Sequence, residues 1–244
     1  MPHTLPLDPY PLLMRTPLFR ELTHPEMETL CAAAIPKSFP PATYILHQGE
    51  PATIFYIILQ GRVRLTQVSP EGHQVIVTHL GPGDGLGIIV ALGNMKYPVA
   101  AETVEDCLTL AWTATDIQRE MRHIPQLAIN GMRLIAHHFV ELQDRYRELA
   151  TERVERRIAR AVLRLVRQAG RRTEEGVLID IPLSRQDLAE MTGTTLYTVS
   201  RVLSEWEQKG LVKSGRERVT LRDAHRLVII AEDLPEPMAG TVKP

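Results

Sequence analysis

The residues whose types and spacing best suit chemistry lie between Leu183 and Leu221. Ser184-Arg185-Gln186-Asp187 sets a hydroxyl three residues before a carboxylate, the spacing at which the two ends of a helix's first turn cap each other. Gly193 then permits a tight turn, and Thr194 or Thr195 starts a second helix. On that helix Val199, Val202 and Leu203 form one face, and Leu196, Tyr197, Ser200 and Arg201 form the other. The Arg201 guanidinium can bond two acceptors on a guanine edge. Ser184, Thr194, Thr195 and Lys213 suit phosphate oxygens, which fix register without reading sequence. Arg185 and Arg216 add cations at the flanks. Leu196 and Tyr197 can meet a thymine methyl or simply fill space. This chemistry is recognition of double-stranded DNA, not bond breaking. No Ser/His/Asp, paired-carboxylate or phosphate-loop constellation accompanies it, so an enzyme is the least favoured class.

The elements that must hold these residues follow from the pattern around them. Leu188 and Ala189 allow two helices to approach closely, which predicts a helix-turn-helix with its second helix in the major groove. The competing reading is a small helical domain that binds protein. A β-hairpin wing is expected next: Leu211-Val212-Lys213, a turn at Ser214-Gly215-Arg216, then Arg218-Val219-Thr220-Leu221.

Upstream, Phe39 to Leu110 reads as short strands between turn signals. Thr43 to Leu46, Ile54 to Leu59 and Val63 to Thr66 are rich in β-branched and aromatic residues, separated by Gln48-Gly49-Glu50-Pro51, Gln60-Gly61 and Pro70-Glu71-Gly72. Such spacing suggests an antiparallel barrel or roll. After Thr115-Asp116 the period becomes helical. Beyond Pro125, the residues Ala128, Met132, Ile135, Phe139, Leu142, Tyr146 and Leu149 alternate by four and three, a heptad seam. Leu127 and Leu134 form a second apolar row for the helix's own domain. Two apolar faces imply two partners, so the seam is expected to be a parallel homodimer interface. A break near Ala150 to Arg153 leads to a helix from Val154 to Ala169. The expected class is α+β, divided into a β-roll (13–122), a dimerisation helix (123–150), a winged helix-turn-helix (151–234) and a disordered tail (235–244).

Charge is divided along the same lines. The net charge is −1. Residues 1–150 carry 11 Lys/Arg against 15 Asp/Glu, whereas 151–226 carry 16 against 11. A basic C-terminal module suits a polyanionic partner, though a solvated basic helix would account for Arg153 to Arg172 alone. Cys31 and Cys107 lie too far apart in sequence to suggest a disulfide framework or a metal cluster. No apolar stretch approaches a bilayer span, and the start shows no secretory pattern, so a cytoplasmic protein without a membrane partner is expected.

Taken together these residues resemble the Crp/Fnr family of transcription regulators, from about Leu13 to Leu234. The resemblance is carried by Ile45-Leu46-His47-Gln48-Gly49-Glu50, Phe55-Tyr56-Ile57-Ile58-Leu59-Gln60-Gly61, Pro70-Glu71-Gly72, Leu80-Gly81-Pro82-Gly83-Asp84 and Thr198-Val199-Ser200-Arg201-Val202-Leu203. It implies a homodimer on a palindromic site near a promoter, in contact with RNA polymerase and gated by an effector in the roll.

The departures bear on that effector. Cyclic-AMP-binding relatives hold ribose and phosphate with Gly-Glu and Arg-Ser pairs. Here those positions correspond to Gly87-Ile88 and Tyr97-Pro98, and an unpartnered buried anion is costly. The adenine-contacting Thr-Ser pair of the long helix corresponds to Leu142-Gln143. The resemblance thus implies an apolar pocket formed by Gly87, Ile88, Ile89, Tyr97, Pro98, Val99, Leu134, His138, Leu142 and Gln143, and makes cyclic AMP an unsuitable ligand. Two cysteines cannot supply an iron–sulfur cluster. The Cys and His haem ligands of carbon-monoxide sensors fall on Gly87 and Ile89. The remaining likeness is to haem-dependent nitric-oxide sensors of the nitrate-respiration branch, with His138, His137 or His24 as candidate iron ligands. A surface or packing histidine is the competing reading for each. An effector-independent regulator, controlled by its abundance, is the other expectation. Tyr197 stands where the family commonly has a glutamate, which puts the usual half-site in doubt.

Overall fold

A computed structural model describes residues 9–235, and the tail expected over 235–244 lies outside it apart from exposed Pro235. The chain forms two compact units that divide between Asp144 and Arg145.

The first unit opens with α1 (Tyr10–Leu13) and α2 (His24–Ala33), two helices before Phe39, where the sequence pattern assigned no elements. Eight strands follow: β1 (Ile35–Phe39), β2 (Tyr44–Leu46), β3 (Ile54–Gln60), β4 (Val63–Val68), β5 (Gln74–Leu80), β6 (Gly85–Leu86), β7 (Ala100–Thr103) and β8 (Cys107–Thr113). They form two four-stranded antiparallel sheets, ordered β1-β8-β3-β6 and β2-β7-β4-β5. Ile57 opposes Leu110 in the first sheet, and Val63 opposes both Leu80 and Thr103 in the second. The turn after β3 requires glycine twice over. Gly61 has φ +88°, and a Cβ there would lie 2.4 Å from the Asp106 carbonyl oxygen. Trp112 anchors the core between Phe19 and Phe55, with ring centroids 5.9 and 5.8 Å away, and its indole N–H donates to the Leu30 carbonyl at 2.8 Å. That bond leaves no buried donor unsatisfied there.

Thr113 then accepts from the Asp116 N–H and starts α3 (Ala114–His123), three residues before the period change read from sequence. Next comes α4 (Pro125–Thr151). Leu127 is fully buried and Leu134 packs partly against the same core, so the second apolar row serves this unit as expected. Buried Asn130 pins the root of the helix by donating to the Leu18 and Arg20 carbonyls at 3.1 and 2.7 Å.

The second unit contains the last turns of α4, then α5 (Val154–Ala169), β9 (Gly170–Thr173), β10 (Gly176–Ile179), α6 (Arg185–Thr192), α7 (Leu196–Gln208), β11 (Val212–Gly215), β12 (Arg218–Leu221) and α8 (Ala224–Glu232). Its sheet runs β11-β12-β10-β9, so the wing does not stand alone but continues into a second hairpin. The wing's turn falls at Arg216-Glu217, with Glu217 at φ +53°, rather than at Ser214. The core is built from Ile158, Val162 and Leu165 of α5, Leu188 of α6, and Val199, Leu203 and Trp206 of α7. No helix among the described residues is long and apolar enough to cross a membrane.

Candidate nucleic-acid interface and sensor pocket

Both helix starts of the reading motif form the caps their sequence encodes. Ser184 and Asp187 make a reciprocal capping box, with the Ser184 Oγ accepting from the Asp187 N–H at 3.0 Å and the Asp187 carboxylate accepting from the Ser184 N–H at 2.7 Å. Thr195, not Thr194, caps α7, its Oγ1 accepting from the Thr198 N–H at 3.2 Å. Between them Gly193 sits at φ +60° and closes α6. Such caps are each worth about 1 kcal/mol and fix where the exposed face of α7 begins.

That face is presented to solvent. Val199, Val202, Leu203 and Trp206 are buried, while Tyr197 is 78 % and Leu196 49 % exposed. Arg201 is exposed, and Ser200 is half-buried beside it. The outward cations are held by neighbouring carboxylates. The Arg201 guanidinium donates to Glu205 at 2.9 Å, one turn further along α7. Lys213 on the wing donates to both oxygens of Glu175 at 2.6 and 2.8 Å. This pair holds the Glu175 carboxyl below its ordinary range, first through the hydrogen bond and then through the charge of Lys213. Sequence spacing assigned Lys213 to phosphate without this partner. In the folded chain Glu175 competes with a phosphate for this ammonium. The Arg185 guanidinium donates to Ser214 Oγ at 3.4 Å, tying the start of α6 to the wing, and Arg216 is exposed at the wing's tip. The i to i+4 spacing of Arg201 and Glu205 was legible in the sequence, whereas Glu175 and Lys213 lie 38 residues apart.

The residues assigned to a sensor pocket divide between the packing of the roll and the face of α4. Gly87 and Tyr97 do meet: a Cβ on Gly87 would lie 3.0 Å from the Tyr97 ring. Tyr97 is buried, and its hydroxyl donates to the Ile54 carbonyl at 2.8 Å and accepts from the Thr53 and Ile54 N–H groups at 3.1 and 2.9 Å. It is thus part of the roll's own packing. Ile88 is buried and Ile89 is packed against the core, Val99 is half-buried and Pro98 is exposed. On α4, Leu134 packs inward, while His138, Leu142 and Gln143 are exposed. A cavity of about 380 Å³ lies elsewhere in this unit, lined mainly by Ile88, Leu92, Met121, Ala128, Met132 and Ile135. Of the ten assigned residues, only Ile88 reaches it.

The candidate haem ligands fare similarly. His24 has both ring nitrogens engaged, Nδ1 with the Tyr10 hydroxyl at 2.5 Å and Nε2 with Glu28 at 3.2 Å. His137 Nε2 lies 3.6 Å from Glu141. Partial desolvation pulls His138 below its ordinary value, against the pull of Glu141 and Asp84. None of the three lines the cavity, and no cluster of three or more potential metal ligands occurs among the described residues. The three histidines lie on α2 and on the exposed face of α4, away from that cavity.

Comparison with known proteins places this geometry. The Cyclic nucleotide-binding domain family matches residues 36–123, and the Crp-like helix-turn-helix domain family matches 156–229. The chain is 31% identical over 216 residues to the "Cyclic AMP receptor protein" of Thermus thermophilus, covering 88% of this chain and 97% of that one. It is 25% identical over 201 residues to the "Global nitrogen regulator" of Nostoc sp., covering 80% and 89%. Among solved structures, FixK2 from Bradyrhizobium japonicum superposes with a TM-score of 0.70 at 25% identity, over 81% of this chain and 96% of that one. These relatives are regulators rather than enzymes. The roll, the long helix and the capped reading motif thus belong together, and the chain is a member of the Crp/Fnr family of DNA-binding transcription regulators.

Proposed function

We propose that two copies of this chain pair through the α4 seam and read a palindromic promoter site with the exposed face of α7. The observation that carries this reading is the exposure of Tyr197 and Arg201, with half-buried Ser200 between them, on a helix capped by Thr195 and seated on a packed core. Arg201 makes the guanine contact, Ser184, Arg185, Thr194, Thr195, Lys213 and Arg216 hold phosphates, and Leu196 and Tyr197 lie against the groove floor. The dimer works in the cytoplasm and engages RNA polymerase. Cyclic AMP is not its signal. Tyr97 occupies the space over Gly87, and Tyr97-Pro98 offers no cation for a phosphate. An apolar effector bound beside Ile88 is the leading alternative signal. The packing of Tyr97 on Gly87 favours a second reading, in which the regulator needs no effector. Protein refolded without small molecules keeps full operator affinity on the second reading and loses it on the first.

Arg201→Ala tests the function. It is expected to weaken specific binding by about 1–3 kcal/mol, with dimerisation intact. Gel-shift titration against specific and random duplexes measures this, and unchanged discrimination between them would remove Arg201 from base reading.

A further inference from the structure

The helix break at Glu152-Arg153 leaves carbonyls that no helical N–H can reach, and the C-terminus of α6 does the same. One side chain serves both. The Arg157 guanidinium donates from NH1 to the Glu152 carbonyl at 3.0 Å, from Nε to the Thr192 carbonyl at 3.0 Å, and from NH2 to the Gly193 carbonyl at 3.4 Å. A cation at the end of α6 also complements the negative pole of that helix. Leu149, in the last turns of α4, makes a second contact with the same turn. A Cβ on Gly193 would lie 3.0 Å from its Cδ2. The break itself is held by the Glu152 carboxylate, whose side chain is only 5 % exposed and lies 3.1 Å from Arg160 and 4.0 Å from Arg156.

We propose that Arg157, together with Leu149, is a positioning residue that locks the reading motif's turn to the C-terminal end of α4 and so sets the orientation in which two paired chains present their α7 helices to a palindrome. This rests on the DNA-reading dimer proposed above. The reasoning is geometric. Three carbonyls from two elements converge on one planar fork, and lysine, whose three donors share a single nitrogen, cannot span that arrangement. The chain around Gly193 is also the segment that sets where Thr195 and Tyr197 begin. Freeing the turn leaves the core of Val199, Leu203 and Trp206 in place but lets the whole motif tilt about the break.

The test uses full-length Arg157→Lys and, independently, Arg157→Gln. Each is titrated against a palindrome selected by the parent protein and against a duplex carrying one half-site. Amide hydrogen exchange is followed at Thr194 to Tyr197. The expected result is a palindrome affinity lower by about tenfold, within the range that coupling along a contact chain carries, with half-site affinity unchanged. Exchange at 194–197 should be faster, while exchange at Val199 to Trp206 stays protected. Equal losses on both duplexes would make Arg157 a plain stability residue and overturn the proposal, as would no loss on either. If the parent selects no sequence, the DNA-reading dimer falls, and the exchange pattern alone then decides whether the turn is locked.

Discussion

At the scale of single residues, the side chains that carry the account are held by bonds whose removal has calculable consequences. Tyr97 bonds three backbone groups at the start of β3 with one hydroxyl. Tyr97→Phe keeps the ring over Gly87 but leaves the Ile54 carbonyl and two N–H groups without that partner. A loss of about 1–3 kcal/mol in unfolding free energy is expected, with DNA affinity unchanged, measurable by denaturant titration. A stability equal to that of the parent would show that the hydroxyl is not needed there. Burial pushes the Cys107 thiol up to about 11. It is therefore protonated at pH 8 and slow to alkylate, whereas Cys31 is half-buried and should react first. The sign for stability follows. A folded-state value above the ordinary 9.0 favours the folded chain below pH 9, and this contribution disappears as pH rises through about 11. Mass-spectrometric alkylation and alkaline melts check the two halves of that expectation.

At the scale of elements, α4 has two faces with different fates. Leu127 and Asn130 bind it to the roll, while Met132, Phe139, Leu142, Tyr146 and Leu149 are each more than half exposed in the single chain. Half-buried Ala128 and Ile135 complete that stripe, which is longer than a solitary helix would leave to water. Phe139→Glu with Leu142→Glu should give a folded monomer with poor palindrome affinity, read by sedimentation. A stable dimer from this variant would refute the seam. Much of this scale was legible beforehand. The capping box at Ser184, the turn at Gly193 and the heptad spacing are local patterns, and local patterns survive into structure. Three features were not. α1 and α2 carry weak periodicity, and Pro9, Pro11 and Pro17 interrupt the segment before α2. The four residues of β9 are all exposed, so no alternation marks them as a strand. The Glu175–Lys213 pair joins two hairpins through sheet topology, and residue types alone do not specify sheet order. The burial of Tyr97 depends on long-range packing in the same way, so the assigned pocket could not be checked against sequence spacing.

At the scale of the whole molecule, charge and architecture point the same way. The basic excess lies in the unit that contains α7, and part of it is tied up by Glu148, Glu152, Glu175 and Glu205. Each cation that reaches a phosphate releases counterions from the DNA, so binding should weaken with salt, less steeply where the cation is already paired with a carboxylate of the chain. The central claim is that a dimer of this chain reads a palindrome. The most direct measurement is analytical ultracentrifugation of the purified protein, alone and with a duplex recovered by selection from random DNA. The account predicts a dimer alone, a palindromic selected sequence, and one complex of two chains per duplex. A monomer that selects no common sequence would contradict it.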